Sequence, residues 1–183
     1  MPTLNIICGN YTERMPRLIQ ELLRQGITDY KLWDGLILSR SVKESINASH
    51  KMIVRWAKEN GLSEVCLGED DLKFSHPDAW KYYLSQKPID YDLYLGGVFL
   101  GVPDDLGVVH DFTGMTLYCI SEKFYDQFLS VPDDEHIDKS LDGLGLYYVC
   151  RPFVVTQFDG VSSNTGKFEK YGDLVAGREF FNG

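Results

Sequence analysis

Basic residues are scarce in this chain: 18 Lys and Arg stand against 27 Asp and Glu, for a formal net charge of −9. No basic face can be large, which argues against nucleic acid or an anionic membrane as the main partner. An acidic protein that handles an anionic small substrate needs a metal or a local Arg/Lys cluster to admit it. Long apolar runs are missing as well, and no stretch approaches the length of a membrane-spanning helix. The start, Met1-Pro2-Thr3-Leu4-Asn5-Ile6-Ile7-Cys8, has no basic leader and too short an apolar run for a signal peptide, so it reads as a first strand. These absences predict a cytoplasmic protein. Cysteine is sparse and unpatterned: Cys8, Cys66, Cys119 and Cys150 sit in apolar, strand-like settings with no CxxC spacing. Buried free thiols of a reducing compartment are expected, rather than disulfides or zinc ligands. Internal repeats and low-complexity blocks are absent too.

What is present fits one domain. At 183 residues, with 44% hydrophobic and 25% charged residues, the chain can bury a sizeable core. Aromatics reach 13%, including 11 Tyr, enough to serve a core, a sugar-stacking cleft, or both.

Apolar runs alternate with amphipathic stretches through the first half. Leu4 to Cys8 is broken by Gly9-Asn10, and a helix follows that Thr12 can cap, with Pro16 in its first turn, a stripe of Leu18, Ile19, Leu22 and Leu23, and a stop at Gly26. Tyr30 to Trp33 is a weaker strand closed by Asp34-Gly35. Ser41-Val42-Lys43-Glu44 is a capping box that opens a long helix ending at Gly61. Its buried stripe holds Ile46, Ser49, His50, Ile53 and Ala57; on that evidence alone His50 is a core histidine with a partner. A strand over residues 65–67, a short helix carrying Trp80, Tyr83 and Leu84, and a strand over residues 91–95 before Gly96-Gly97 come next. Residues 110–120 read as a strand interrupted at Thr113-Gly114, Ser121 caps a helix, and residues 146–149 and 153–156 are the last strands.

This alternation predicts an α/β fold with a mostly parallel sheet flanked by helices, whose ligands bind beyond the carboxyl ends of the strands. The expected organisation is a single domain over residues 1–160. Residues 161–183 then form a tail that packs on it or orders over a ligand.

The most informative stretch is Glu69-Asp70-Asp71, directly after Val65-Cys66-Leu67-Gly68. Carboxylates at the mouth of a buried strand are costly unless something positive occupies the site. If the backbone stays extended, Glu69 and Asp71 point one way and Asp70 the other. Such a pair suits a hard divalent cation, Mg²⁺ or Mn²⁺, that would in turn hold a phosphate-bearing substrate. A solvated acidic turn is the plainer alternative.

The order of short motifs resembles the lipooligosaccharide-type glycosyltransferases (family 25), which include the collagen galactosyltransferases. The similar segments are Thr12-Glu13-Arg14, Trp33-Asp34-Gly35, Ile46-Asn47-Ala48-Ser49-His50, the strand ending in Glu69-Asp70-Asp71, the glycine-containing strand from Thr113-Gly114 to Ser121, Ile137-Asp138 with Leu141, and residues 152–157 followed by Ser162-Ser163. Gly68 replaces the usual bulky residue before the triplet, and His136 stands where the family has proline or valine.

The resemblance implies a GT-A (Rossmann-like) fold and a metal-dependent enzyme that moves a sugar from a nucleotide diphosphate, UDP by preference, to a hydroxyl of a glycan or lipid-linked glycan, with inversion. It implies Mn²⁺ or Mg²⁺ on Asp71, helped by Glu69, and Asp138 as the base, with His136 and Asp111 in reserve. Asn10, Asp34, His50, Glu69, Asp70 and Gln157 would contact the nucleotide-sugar, and Arg14, with Arg40, would offset diphosphate charge. Two other readings stand beside it: a nucleotidyltransferase, against which the missing Gly-rich phosphate loop counts, and a non-catalytic binding domain.

Overall fold

A computed structural model describes residues 2–9, 13–38, 41–162 and 164–183. In chain order the elements are β1 (Leu4–Cys8), α1 (Arg14–Arg24), β2 (Tyr30–Asp34), α2 (Val42–Glu59), β3 (Glu64–Glu69), β4 (Leu72–Phe74), α3 (Ala79–Ser85), β5 (Leu93–Leu95) and β6 (Leu117–Ser121). They continue with α4 (Tyr125–Ser130), α5 (Ile137–Ser140), β7 (Tyr147–Val149), β8 (Val155–Gln157), β9 (Gly160–Val161), β10 (Phe168–Glu169) and α6 (Tyr171–Leu174).

The central sheet has the order β2-β1-β3-β6-β5-β7. β1 runs parallel to β2 and β3, β7 parallel to β5, and β6 alone is reversed between β3 and β5. The carboxyl ends of β1, β2, β3 and β5 therefore share one rim, as expected of a mostly parallel sheet. Both faces are covered. Tyr118 and Ile120 of β6 join a core with Ile53, Val54 and Ala57 of α2, whereas Leu117 and Cys119 join a second core with Leu18 and Leu22 of α1 and Trp80 and Tyr83 of α3. A strand buried on both sides explains why β6 reads as a continuous apolar run. Among the described residues no helix is long and apolar enough to cross a membrane.

The local signals for α2 hold. The Ser41 hydroxyl accepts the Glu44 amide, and Gly61 closes the helix at φ +64°. In α1 the stripe is narrower than read, for Leu18 and Leu22 are buried but Leu23 is exposed, and buried Glu21 takes a place on that face. Glu21 is satisfied there by Arg24 and by the Phe74 amide. Thr12 lies outside the described residues.

Three expectations are corrected. Cys66 and Cys119 form a disulfide, not two free thiols, because the antiparallel β3–β6 register sets them opposite one another with Cα atoms 4.0 Å apart. That pairing joins positions 53 residues apart, which spacing along the chain does not report. Cys8 and Cys150 are free and buried, as expected. Residues 110–116 do not form a strand: Asp111 has φ +45° and Gly114 φ +98°, and this stretch touches the chain before it through a single bridge, Leu100 to Thr113. The third is the stretch after the acidic triplet, where the sequence reading places no strand: β4 follows at once and pairs antiparallel with β8.

The close approach that Gly96-Gly97 permits is made by β8. A Cβ on Gly97 would stand 2.6 Å from the Val155 carbonyl oxygen. The last residues pack back on the body: the Phe153 amide donates to Glu179, the Phe181 amide to Phe153, and the Phe181 ring stacks on Tyr82 at 4.1 Å.

Candidate active site

A cavity of about 750 Å³ opens above the carboxyl rim of the sheet. One end is built by the acidic triplet. Glu69 closes β3, and the chain turns at Asp70 and Asp71 before β4 returns toward β8. That turn ends the extended alternation expected of the triplet. Asp70 and Asp71 converge on one cation: the same guanidinium nitrogen of Arg14 lies 2.8 Å from Asp70 and 2.9 Å from Asp71. Glu69 takes another direction, accepting from Gln157 Nε2 at 2.6 Å and facing His50 Nε2 at 3.5 Å. Asp70 also accepts the Gly9 amide at 2.6 Å, which fixes the chain at the end of β1.

The charges do not balance. Burial raises Asp70, partly offset by its bond to Arg14. Burial, then the Glu69 charge, pushes Asp71 up to about 8 despite Arg14. Asp71 Oδ1 is buried and has no hydrogen-bond partner among the described residues. A buried carboxylate oxygen without a donor is costly.

That orphaned oxygen tests the fit of a metal. A divalent cation that prefers oxygen would satisfy it and relieve the excess of three carboxylates over one guanidinium. Among the described residues no three His, Cys, Asp or Glu side chains already surround one point. Asp71 with Glu69 thus suits an ion such as Mg²⁺, which takes one or two carboxylates and completes its shell with water and substrate phosphates, better than a closed all-protein cage. The residues fit the group.

A further part of the lining comes from the turn before α5 and from the loop that precedes β6. His136, Asp138 and Lys139 belong to it with Gly114 and Met115. Asp138 Oδ2 accepts the Gly114 amide at 3.0 Å and Oδ1 the Lys139 amide at 2.9 Å. Above, Ser162, Thr165, Glu169 and Tyr171 close the roof, and Arg14 reaches it through the Val161 carbonyl at 2.9 Å. Exposed Ile37, Val42, Leu100 and Leu174 form an apolar lip.

Of the residues singled out in the sequence, Arg14, His50, Glu69, Asp70, Asp71, His136, Asp138 and Gln157 line this one cavity. Asp34 ends β2 exposed and is not in the lining; Asp111 is exposed and not in it either. Asn10 and Arg40, like Ser163, fall outside the described residues. Sequence reasoning missed Tyr171, Lys139 and the roof residues Thr165 and Glu169. No local pattern marks them; only the expectation of a tail ordering over a ligand pointed to that segment.

No family model and no curated protein matches the chain. Solved structures do. HddC from Yersinia pseudotuberculosis superposes with a TM-score of 0.52 at 15% identity, over 82% of this chain and 90% of its own. The same protein complexed with GMP-PN gives 0.51 at 16% over the same shares. A putative glucose-1-phosphate thymidylyltransferase from Bacillus anthracis, in complex with a sucrose, gives 0.53 at 11%, over 86% of this chain and 89% of its own. The fold is GT-A-like. Identities this low speak to the fold alone, so the chemistry must be argued from the cavity.

Proposed function

We propose that the chain is a metal-dependent glycosyltransferase of the lipooligosaccharide type, moving a sugar from a nucleotide diphosphate, UDP by preference, to a hydroxyl of a glycan or lipid-linked glycan acceptor with inversion. The observation that carries this reading is Asp71: a buried carboxylate with an oxygen unpartnered among the described residues, beside two further acids, at the rim where α/β sheets bind ligands. Asp71 and Glu69 would hold Mn²⁺ or Mg²⁺, which when bound supplies charge neutralisation for a diphosphate leaving group. Arg14 adds a fixed positive charge at the same end of the cavity. Asp70, bonded to the Gly9 amide, ties the triplet to the end of β1. Asn10 is assigned to the base or ribose and Gln157 to the donor side of the cavity, with His50 orienting Glu69; Asp34, outside the lining, is left without a role here.

Asp138 is the proposed base. Two backbone amides fix its carboxylate in the lining of the same cavity as the triplet, where it would take the acceptor proton as the sugar–oxygen bond forms and the diphosphate departs. His136 is the reserve. Burying the reactants under the roof segment keeps water from competing with the acceptor.

The likeness to a putative thymidylyltransferase favours a second reading, nucleotidyl transfer. Against it counts the absence from the sequence of a Gly-rich phosphate loop with an activating lysine. A thermal-shift titration with UDP-sugars, with and without Mn²⁺, tests the first reading. A ligand at a hundred times its Kd stabilises by about 2.7 kcal/mol, so a metal-dependent rise in Tm is expected; no metal-dependent rise would sink it. Pyrophosphate release from a nucleoside triphosphate and a sugar phosphate would support nucleotidyl transfer instead.

A further inference from the structure

Glu69 has each carboxylate oxygen facing a side-chain nitrogen. Gln157 Nε2 donates to Oε2 at 2.6 Å, and His50 Nε2 faces Oε1 at 3.5 Å. Behind His50, its Nδ1 lies 2.8 Å from the Tyr118 hydroxyl, with the two rings stacked at 5.8 Å. Histidine and tyrosine are both buried, His50 on α2 and Tyr118 on β6.

Only one tautomer satisfies this row of atoms. Were Nδ1 to carry the proton, it would donate to the tyrosine oxygen. The Tyr118 O–H would then lack an acceptor among the described residues, and the Nε2 lone pair would face the Glu69 oxygen, acceptor against acceptor. In the other tautomer Tyr118 donates to Nδ1 and Nε2–H points at Glu69. Both buried donors are then directed at acceptors. Burial also pushes the Tyr118 hydroxyl well above its ordinary range, which keeps it a donor.

We propose that His50 is a positioning residue, locked by Tyr118 in the Nε2–H tautomer, which together with Gln157 holds the Glu69 carboxylate beside Asp71. The assignment of the tautomer stands on geometry alone; what the positioned carboxylate is for rests on the function proposed above. The arrangement is the outer support a ligand carboxylate needs if its orientation is to survive the arrival of substrate.

The test begins without ligand. Long-range ¹H–¹⁵N spectra of the ¹⁵N-histidine-labelled full chain should show His50 protonated on Nε2, and a proton on Nδ1 would overturn the proposal. Tyr118→Phe should release the lock and give a mixture of tautomers. The second measurement compares His50→Gln, whose amide nitrogen takes the place of Nε2, with His50→Asn, whose amide takes the place of Nδ1. The Glu69 carboxyl ¹³C resonance should stay in place in the first and move in the second. Mn²⁺-dependent UDP-sugar affinity should fall on the order of tenfold in His50→Asn and stay within about threefold in His50→Gln, the usual scale for a residue supporting a ligand. Equal effects of the two variants would overturn the positioning role, even if Tyr118→Phe fails to fold. A wild-type chain that binds no nucleotide-sugar but shows the expected tautomer and carboxyl shifts would sink the proposed function and leave this inference standing.

Discussion

Asp71 and Asp138 line one cavity and stand in contrasting surroundings. Asp138 is half-buried and each of its oxygens accepts a backbone amide. Asp71 is buried, shares one guanidinium with Asp70, and leaves Oδ1 without a partner among the described residues. An amide donor satisfies a carboxylate without neutralising it. Among the described residues Asp71 instead has only a shared guanidinium beside it and an oxygen left over. Identical side chains thus suit the two proposed roles, base and cation ligand, because their surroundings differ.

The sharpest way to break that contrast is substitution. Asp71→Ala should abolish metal-dependent nucleotide-sugar binding in calorimetry while circular dichroism shows the fold intact. Asp138→Asn should leave donor binding unchanged and lower kcat by roughly 10²- to 10⁴-fold, the range for a lost general base. If both variants lose donor binding alike, the two carboxylates do not divide the work. A pH series on the metal-free chain sharpens the comparison further. The folded form holds a proton on Asp71 up to about pH 8, against an ordinary value of 3.8. Stability should therefore be highest at and below about pH 4 as far as this group is concerned, fall as pH rises toward 8, and level off beyond. Asp70, also raised, acts with the same sign. Asp71→Asn should flatten that slope. The smallest effect is expected from Arg14→Lys, which keeps the charge but loses the fork that reaches both Asp70 and the Val161 carbonyl. A few-fold weaker donor affinity, on the scale of about 1 kcal/mol, should appear in the same calorimetry.

The legible parts of the molecule were those where neighbours in sequence decide the outcome. Ser41 and Glu44 sit three residues apart and make their cap, and Gly26 and Gly61 take the positive φ that ends a helix. The rim followed from strand direction, and eight of the singled-out residues meet on it. What stayed hidden depends on distant partners. The Arg14–Asp70 pair spans 56 residues and the His50–Tyr118 pair 68, and nothing near either member announces the other. Residues 110–116 carry a strand-like composition, yet the backbone turns at Asp111 and Gly114, so no ladder forms. β4 is three residues long, too short for its alternation to register, and exists because β8 returns to it.

Gly68, just before the acidic triplet, sits where a side chain has no room. A Cβ there would meet the Leu72 side chain at 2.9 Å, with Leu4 and the Thr116 carbonyl behind at 3.7 Å. The missing side chain is thus the seat of Leu72, the first residue after the acidic turn, and fully buried. Positions 68 and 72 should drift together through evolution. A lineage that gains a larger residue at 68 is expected to shrink the one at 72, or else to displace the turn that carries its carboxylates.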